Sequence, residues 1–109
     1  MTPPGGLFFV AYLDDEPVAC GGFKRYQGTT GEVKRMYVVP EQRGRGWSRV
    51  ILGAVEDAAR AAGYTRLRLE TGERQPAAIH LYTTNGYEPI ERYGVYAAYE
   101  SSRCYEKAL

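Results

Sequence analysis

The arginine- and glycine-rich stretch VPEQRGRGWSRV, residues 39–50, separates two different hydrophobic periods. Before it, residues 32–39 alternate in the way that is typical of a half-buried strand, and Pro40 ends that strand. After it, apolar residues from Trp47 to Ala62 recur at helical spacing. The stretch is therefore a strand-to-helix junction, and such a crossover predicts that the next strand lies parallel to the preceding one.

Strand-like and helix-like runs along the rest of the chain predict an α+β domain with one mixed β-sheet. Gly63 and the pair Asn85-Gly86 are suited to end the two helices, and Gly21-Gly22 predicts a bulge or a close backbone approach inside the second strand. The first three strands predict an antiparallel meander, and the full order is β-β-β-α-β-α-β-β. The predicted strands are 7–13, 18–26, 32–39, 64–71, 88–96 and 101–109, and the predicted helices begin at Trp47 and Pro76.

Composition and charge limit the functions open to the chain. Its 109 residues fit one domain, and a formal net charge of +1 provides no global basic field for nucleic acid. No apolar run approaches the ~20 residues of a membrane span, and a signal peptide is not predicted. Cys20 and Cys104 match no metal-binding spacing, so they predict free thiols and a cytoplasmic protein with no metal site.

The junction itself has the features of an anion site. A glycine-rich turn that enters a helix leaves backbone N–H groups pointing outward, and Gly44 and Gly46 let a ligand come close to them. Arg43, Arg45 and Arg49 add positive charge. The residues match neither a nucleotide P-loop nor a dinucleotide-binding fingerprint, and a surface turn with solvated arginines remains an alternative.

Two motifs in this order resemble the GCN5-related N-acetyltransferase (GNAT) family. The stretch VPEQRGRGWSR is similar to the family's coenzyme-A loop, with Arg43, Gly46 and Ser48 on its three fixed positions, although Ser48 departs from the usual Gly or Ala. The stretch LRLETGERQPAAIHLYTTNGYEPI is similar to the strand-loop-helix that ends in Ala-x-x-Leu-Tyr-x-x-x-Gly-Phe/Tyr. The resemblance covers residues 7–109, and it implies one GNAT-like domain over 1–109.

The resemblance implies an acetyl-CoA-dependent N-acetyltransferase in which a primary amine attacks the thioester directly. The alternative is a coenzyme-A-binding module or partner subunit with little turnover. The central strands would splay apart around the coenzyme, whose extended arm would pair with the backbone of the third strand. The backbone N–H of Val38 would then face the thioester oxygen. The implied coenzyme-binding residues are Met36, Tyr37, Val38, Arg43, Gly44, Arg45, Gly46, Trp47, Ser48, Arg49 and Gln75.

Three residues are candidates for the chemistry. Tyr82 matches the family's tyrosine that protonates the departing thiolate, with a core aromatic as the alternative. Glu70 matches a position that serves as base in some relatives, and Glu32 is expected to face the same cleft. Either carboxylate could instead pair with Lys34 or Arg68.

The start of the chain differs from the usual family pattern. Family members begin with a strand and two helices before the meander, and this chain leads from Met1 almost directly into the second family strand. The implied exposure of apolar surface predicts a homodimer or a strand-exchanged pair, and a trimmed chain would explain the start equally well. The acceptor would be a small-molecule or peptide amine, which the sequence does not name. Arg35 and Arg103 are candidates to select a carboxylate on it.

Overall fold

The predicted order of strands and helices is confirmed in the computed structural model, which describes residues 5–109. Short 3₁₀ turns at Pro40–Gln42 and Gly94–Ala98 interrupt the connections. The strands are β1 Gly6–Leu13, β2 Glu16–Gln27, β3 Thr30–Val38, β4 Arg66–Gly72, β5 Glu88–Ile90 and β6 Ser102–Ala108, and the helices are α1 Trp47–Ala61 and α2 Pro76–Thr84.

The six strands form one mixed sheet in the order β1-β2-β3-β4-β6-β5. The first three strands are the predicted antiparallel meander, and β4 lies parallel to β3 as the helical crossover requires. The strand predicted at 88–96 is shorter than expected, because pairing stops at Ile90 and the chain then turns through the 3₁₀ segment. The remaining aromatic residues of that stretch pack their rings on the sheet instead of extending it.

A bulge in β3 lies close to the point where the two central strands of the sheet, β3 and β4, stop pairing. Cys20 pairs with Tyr37 and Gly22 with Lys34, so Gly21 alone lies opposite two residues of β3. A Cβ at Gly21 would clash with the Met36 sulfur, which is the close approach that the sequence predicts. Pairing between β3 and β4 stops after Glu32, although both strands continue. The sheet therefore opens into a wedge from this point onward.

The hydrophobic core lies between one face of the sheet and the two helices. Ile51 and Val55 of α1 are almost fully buried, and they share one cluster with Leu67 of β4 and Tyr82 of α2. Both helices therefore pack on the same face. Because α1 is anchored along its buried stripe, its N-terminus is held at the open end of the wedge.

The opposite face of the sheet carries charged side chains under a tyrosine-rich loop. Glu32 of β3 lies beside Arg68 of β4, which in turn lies beside Glu106 of β6. The guanidinium of Arg68 donates to Glu106 at 2.6 Å and also contacts the rings of Tyr26 and Tyr93, 4.9 and 4.8 Å from their centroids. The loop that follows β5 is thus fixed to the sheet by cation–π contacts.

Alanine at two glycines tests how closely the strands pack. A Cβ at Gly22 would clash with the backbone oxygen of Leu7 and lie 3.0 Å from the Phe8 Cα, whereas a Cβ at Gly53 in α1 would meet nothing within 4 Å. We expect Gly22→Ala to lower the free energy of unfolding by about 1–3 kcal/mol through overpacking. Gly53→Ala should raise it by about 0.5–1 kcal/mol, since alanine is the better helix former. Urea denaturation measures both, and equal effects of the same sign would contradict the strand packing.

Candidate active site

A cleft of about 1010 Å³ opens where β3 and β4 separate. Its walls are the outer half of β3, the loop after it, the start of α1, the end of β4 and one side of α2. Three predicted residues do not line it: Glu32, Arg45 and the candidate acceptor-binding Arg103, which pairs with Glu73 at 2.7 Å. The predicted residues that line it are Met36, Tyr37, Val38, Arg43, Gly44, Gly46, Trp47, Ser48, Arg49, Glu70, Gln75 and Tyr82.

The start of α1 presents unpaired backbone N–H groups to this cleft. Gly46 is the N-cap in a left-handed conformation, with φ 86°, and no side chain caps the helix. Gly44 also has a positive φ of 79°, and a Cβ at either glycine would meet no protein atom within 4 Å. No acidic residue lies in the first turn. The positive end of the helix dipole is therefore free to bind an anion from the cleft.

Arg43 braces the loop between β3 and α1. Its Nε donates to the backbone oxygen of Val38 at 3.0 Å, and its guanidinium lies 5.5 Å from the centre of the Tyr37 ring. The indole N–H of Trp47 donates to the Gln42 side chain at 3.2 Å across the same loop. These contacts fix the loop at the mouth of the cleft, while Arg49 stays exposed on its rim.

The backbone of β3 directs hydrogen-bonding groups into the cleft at alternate residues. The N–H of Val39 donates to Val18 on β2 at 2.9 Å, so the preceding residue, Val38, turns its peptide groups away from β2. The same alternation directs Tyr37 toward β2, where it pairs with Cys20, and Met36 toward the cleft. Because β4 has diverged, no neighbouring strand occupies this side of Met36 and Val38.

The two candidate carboxylates have different surroundings. Glu70 lines the cleft near the end of β4, and its carboxylate accepts a hydrogen bond from Ser102 at 2.8 Å. Glu32 is only 5% exposed, accepts from the Tyr93 hydroxyl at 2.7 Å, and pairs with Lys34 at 3.3 Å. The loop after β5 covers Glu32, which is why it does not reach the cleft surface.

Tyr82 combines both roles that the sequence leaves open, because it belongs to the core and also lines the cleft. Its ring packs edge-on against Tyr87 at 5.6 Å. Burial raises the pKa of the Tyr82 hydroxyl to about 12, since the charged phenolate is poorly solvated there. The hydroxyl is therefore protonated at neutral pH, and in acid–base chemistry it can serve as an acid but not as a base.

Several cleft residues carry little or no sequence signal. Lys34 lines the cleft through the bulge, and Tyr96 reaches it from the 3₁₀ segment after β5. His80 is exposed and also lies on the cleft wall. Gln75 is the N-cap residue of α2, but its side chain makes no capping hydrogen bond. Lys34 lies beside the bulge that Gly21-Gly22 predicts, whereas Tyr96 is brought to the cleft by the loop after β5, which local periodicity does not predict.

Residues 5–109 show three further features. Within residues 5–109, no group of three or more His, Cys, Asp or Glu side chains could hold a metal ion. Neither helix is long and apolar enough to cross a membrane. Cys20 and Cys104 are free thiols, as predicted.

Comparisons with known proteins identify similar chains. The model of the Acetyltransferase (GNAT) family matches residues 1–87. An IAA acetyltransferase of Azospirillum brasilense is 39% identical over 110 residues, covering 100% of this chain and 72% of that protein. The chain spans between 56% and 72% of the length of the curated relatives it matches.

Solved structures share the fold. A protein assigned as an acyl-CoA N-acyltransferase from Klebsiella pneumoniae has a TM-score of 0.91 at 36% identity, covering 96% of this chain and 73% of its own. The PaiA N-acetyltransferase of Thermoplasma acidophilum, solved in complex with coenzyme A, has a TM-score of 0.83 at 21% identity. It covers 96% of this chain and 62% of its own, and at this identity the likeness is one of fold.

The raised pKa of Tyr82 predicts a stability loss at alkaline pH. The unfolded chain releases the phenolic proton near pH 10, whereas the folded protein holds it to about pH 12. This contribution to stability is complete below pH 10 and is lost between pH 10 and 12, up to about 3 kcal/mol. Tyr82→Phe should therefore lose less unfolding free energy than the wild type over this interval, as measured by urea denaturation. Parallel pH profiles would contradict the assignment.

Proposed function

The chain belongs to the acetyltransferase (GNAT) family, and we propose that it transfers an acetyl group from acetyl-CoA to a primary amine by direct attack on the thioester. The observation that carries this proposal is the joint geometry of the wedge and the uncapped start of α1. The wedge offers free backbone N–H groups along β3, and the start of α1 offers an anion site at the open end of the wedge. An extended thiol-bearing chain with a pyrophosphate at one end fits that combination.

The residues of the junction fit the phosphates of coenzyme A. The left-handed glycines Gly44 and Gly46 leave open space where a Cβ would stand, and the N–H groups of Trp47, Ser48 and Arg49 are the free donors of the first turn. The helix dipole and the exposed guanidinium of Arg49 supply positive charge. Ser48 in place of Gly or Ala leaves this set of backbone donors intact.

The N–H groups of Met36 and Val38 are the donors available along β3. They point into the wedge, where β4 no longer pairs with them. We assign them to the amide groups of the coenzyme's arm and to the thioester oxygen. The coenzyme supplies the activated acetyl group, and a fixed N–H beside its carbonyl oxygen stabilises the negative charge that develops there.

Glu70 is the base in this proposal. It is the carboxylate that lines the cleft, and the hydroxyl of Ser102 fixes one of its oxygens. A primary amine is mostly protonated at neutral pH, so Glu70 accepts its proton directly or through water before the amine attacks the carbonyl carbon. Glu32 is tied to Tyr93 and Lys34, and we assign it a role in holding the cation of Lys34.

Tyr82 provides the proton for the sulfur. A new C–N bond forms as the C–S bond breaks, the nitrogen releases its second proton to solvent, and the departing sulfur takes up a proton from Tyr82, which solvent then restores. A phenol with a pKa of about 12 is a weaker acid than a thiol, so Tyr82 first donates a hydrogen bond to the sulfur. Full transfer requires that the thiolate shares the poorly solvated surroundings of the phenol, which raise the proton affinity of both groups.

Two substitutions test these roles. Glu70→Gln and Tyr82→Phe should each lower kcat about 10²–10⁴-fold, because each removes a proton transfer from the rate-limiting chemistry. Their affinity for acetyl-CoA should stay near that of the wild type. Thiol release measures kcat, and calorimetry measures binding. Tyr99→Phe, at an exposed tyrosine outside the cleft, is the matched control. Unchanged turnover in Tyr82→Phe would remove it as the acid.

We also propose that two copies associate through β1 in the cytoplasm. Among the described residues, β1 is an edge of the sheet, and its apolar side chains are exposed, with Phe8 54% and Val10 40% accessible. An edge strand with this composition is suited to pair with its own copy around a two-fold axis. Leu7, Tyr12 and Leu13 extend the same apolar strand.

Light scattering tests the association. The wild type should have the mass of a dimer at micromolar concentration, and the double substitution Phe8→Lys and Val10→Lys should shift it to the 12.2 kDa monomer. Far-UV circular dichroism checks that the variant still folds. A wild-type protein that is monomeric at every concentration would exclude the dimer.

A further inference from the structure

Arg35 is a cation in the cleft that no other group neutralises. Arg35 is an exposed residue that lines the cleft, and among residues 5–109 no hydrogen bond or ion pair holds its guanidinium. The other arginines of the cleft, Arg43 and Arg49, belong to the phosphate end. Arg35 precedes Val38 by three residues along β3 and follows Glu32, the last residue that pairs with β4, so it lies toward the narrow end of the wedge.

Lys34 and Glu70 lie on opposite walls of the narrow end. Parallel pairing ends at Glu32 and Arg68, and two residues further along each strand brings Lys34 and Glu70 to the same level. Because the strands have separated there, the two side chains face a gap, and both line the cleft. One wall thus offers a carboxylate, and the other wall offers cations.

The charge of Lys34 is already balanced. Its ammonium pairs with Glu32 at 3.3 Å and donates to the Tyr96 hydroxyl at 2.7 Å. These two contacts leave one of its three N–H donors for a ligand. The net positive charge of this wall therefore comes from Arg35, and Lys34 adds a fixed donor beside it.

The backbone holds Arg35 in an uncommon conformation. Its φ is 59°, in the left-handed region, which a long side chain adopts rarely within a strand. The bulge requires this conformation, and the Cys20 thiol donates to the Arg35 backbone oxygen at 3.3 Å. The guanidinium thus starts from a fixed point on the wall, which favours a recognition role over that of a mobile surface charge.

We propose that the acetyl acceptor carries a carboxylate next to its amine, as a free amino acid does. Arg35 binds the carboxylate through its planar pair of N–H groups, and the remaining donor of Lys34 adds to it. The amine then lies against Glu70 on the other wall, where it loses its proton. The amine and the carboxylate of one amino acid are only a few ångströms apart. They can therefore reach Glu70 on β4 and the cations on β3 at once, close to where the two strands stop pairing. This inference rests on the acetyl transfer proposed above.

The test uses matched acceptors and matched variants. The acceptors are the common amino acids and their carboxamides, assayed by thiol release from acetyl-CoA. For the accepted side chain, the free acid should exceed the amide in kcat/KM by at least ten-fold. Arg35→Gln should remove this preference by raising KM for the acid, while kcat with the amide and the affinity for acetyl-CoA stay unchanged. Arg60→Gln, on the outer face of α1, is the matched control.

A second variant separates recognition from folding. Arg35→Gly suits the positive φ, so it should fold at least as stably as the wild type and still lose the preference. Equal use of acids and amides by the wild type, or a preference that survives in Arg35→Gln, overturns the inference and leaves acetyl transfer intact. Weaker acetyl-CoA binding in Arg35→Gln assigns the arginine to the coenzyme and also overturns it. No turnover with any acceptor overturns both proposals.

Discussion

The active site depends on the separation of β3 from β4 beyond Glu32 and Arg68. Parallel strands in the middle of a sheet normally pair along their whole length, because unpaired backbone groups are costly. Here β3 carries its bulge at Arg35, just beyond the last residue that pairs with β4, and the N–H groups of Met36 and Val38 face the gap between the two strands.

The second constraint is the start of α1 at the open end of the same gap. A helix whose first turn lacks both a side-chain cap and an acidic residue leaves stabilisation unused, and a bound anion can supply it. The buried stripe of α1 fixes where those N–H groups point, while Arg43 ties the preceding loop to Val38. The strand, the loop and the helix therefore hold the N–H groups of β3 and of the helix start at fixed positions, which suits an extended ligand with an anionic end.

Local patterns predicted most of the fold but less of the site. The change of period at Trp47 and the glycine-rich turn before it are short-range features, which a sequence displays directly. The strand predicted at 88–96 was wrong in length because Tyr93 and Tyr96 have strand-like composition, yet their rings pack on distant charged residues. The same long-range contacts cover Glu32 and bring Tyr96 into the cleft. Such contacts depend on the tertiary fold, which periodicity does not reveal.

Calorimetric titration with acetyl-CoA, with ATP as the comparison ligand, measures whether the wedge and the start of α1 bind a coenzyme together. We expect a dissociation constant of about 1–100 μM for acetyl-CoA, with ATP much weaker because it lacks the arm that lies along β3. Gly46→Val should abolish this binding, since valine does not tolerate a φ of 86°. Equal binding of ATP, or full acetyl-CoA affinity in Gly46→Val, would contradict the assignment of the wedge and the helix start as one coenzyme site.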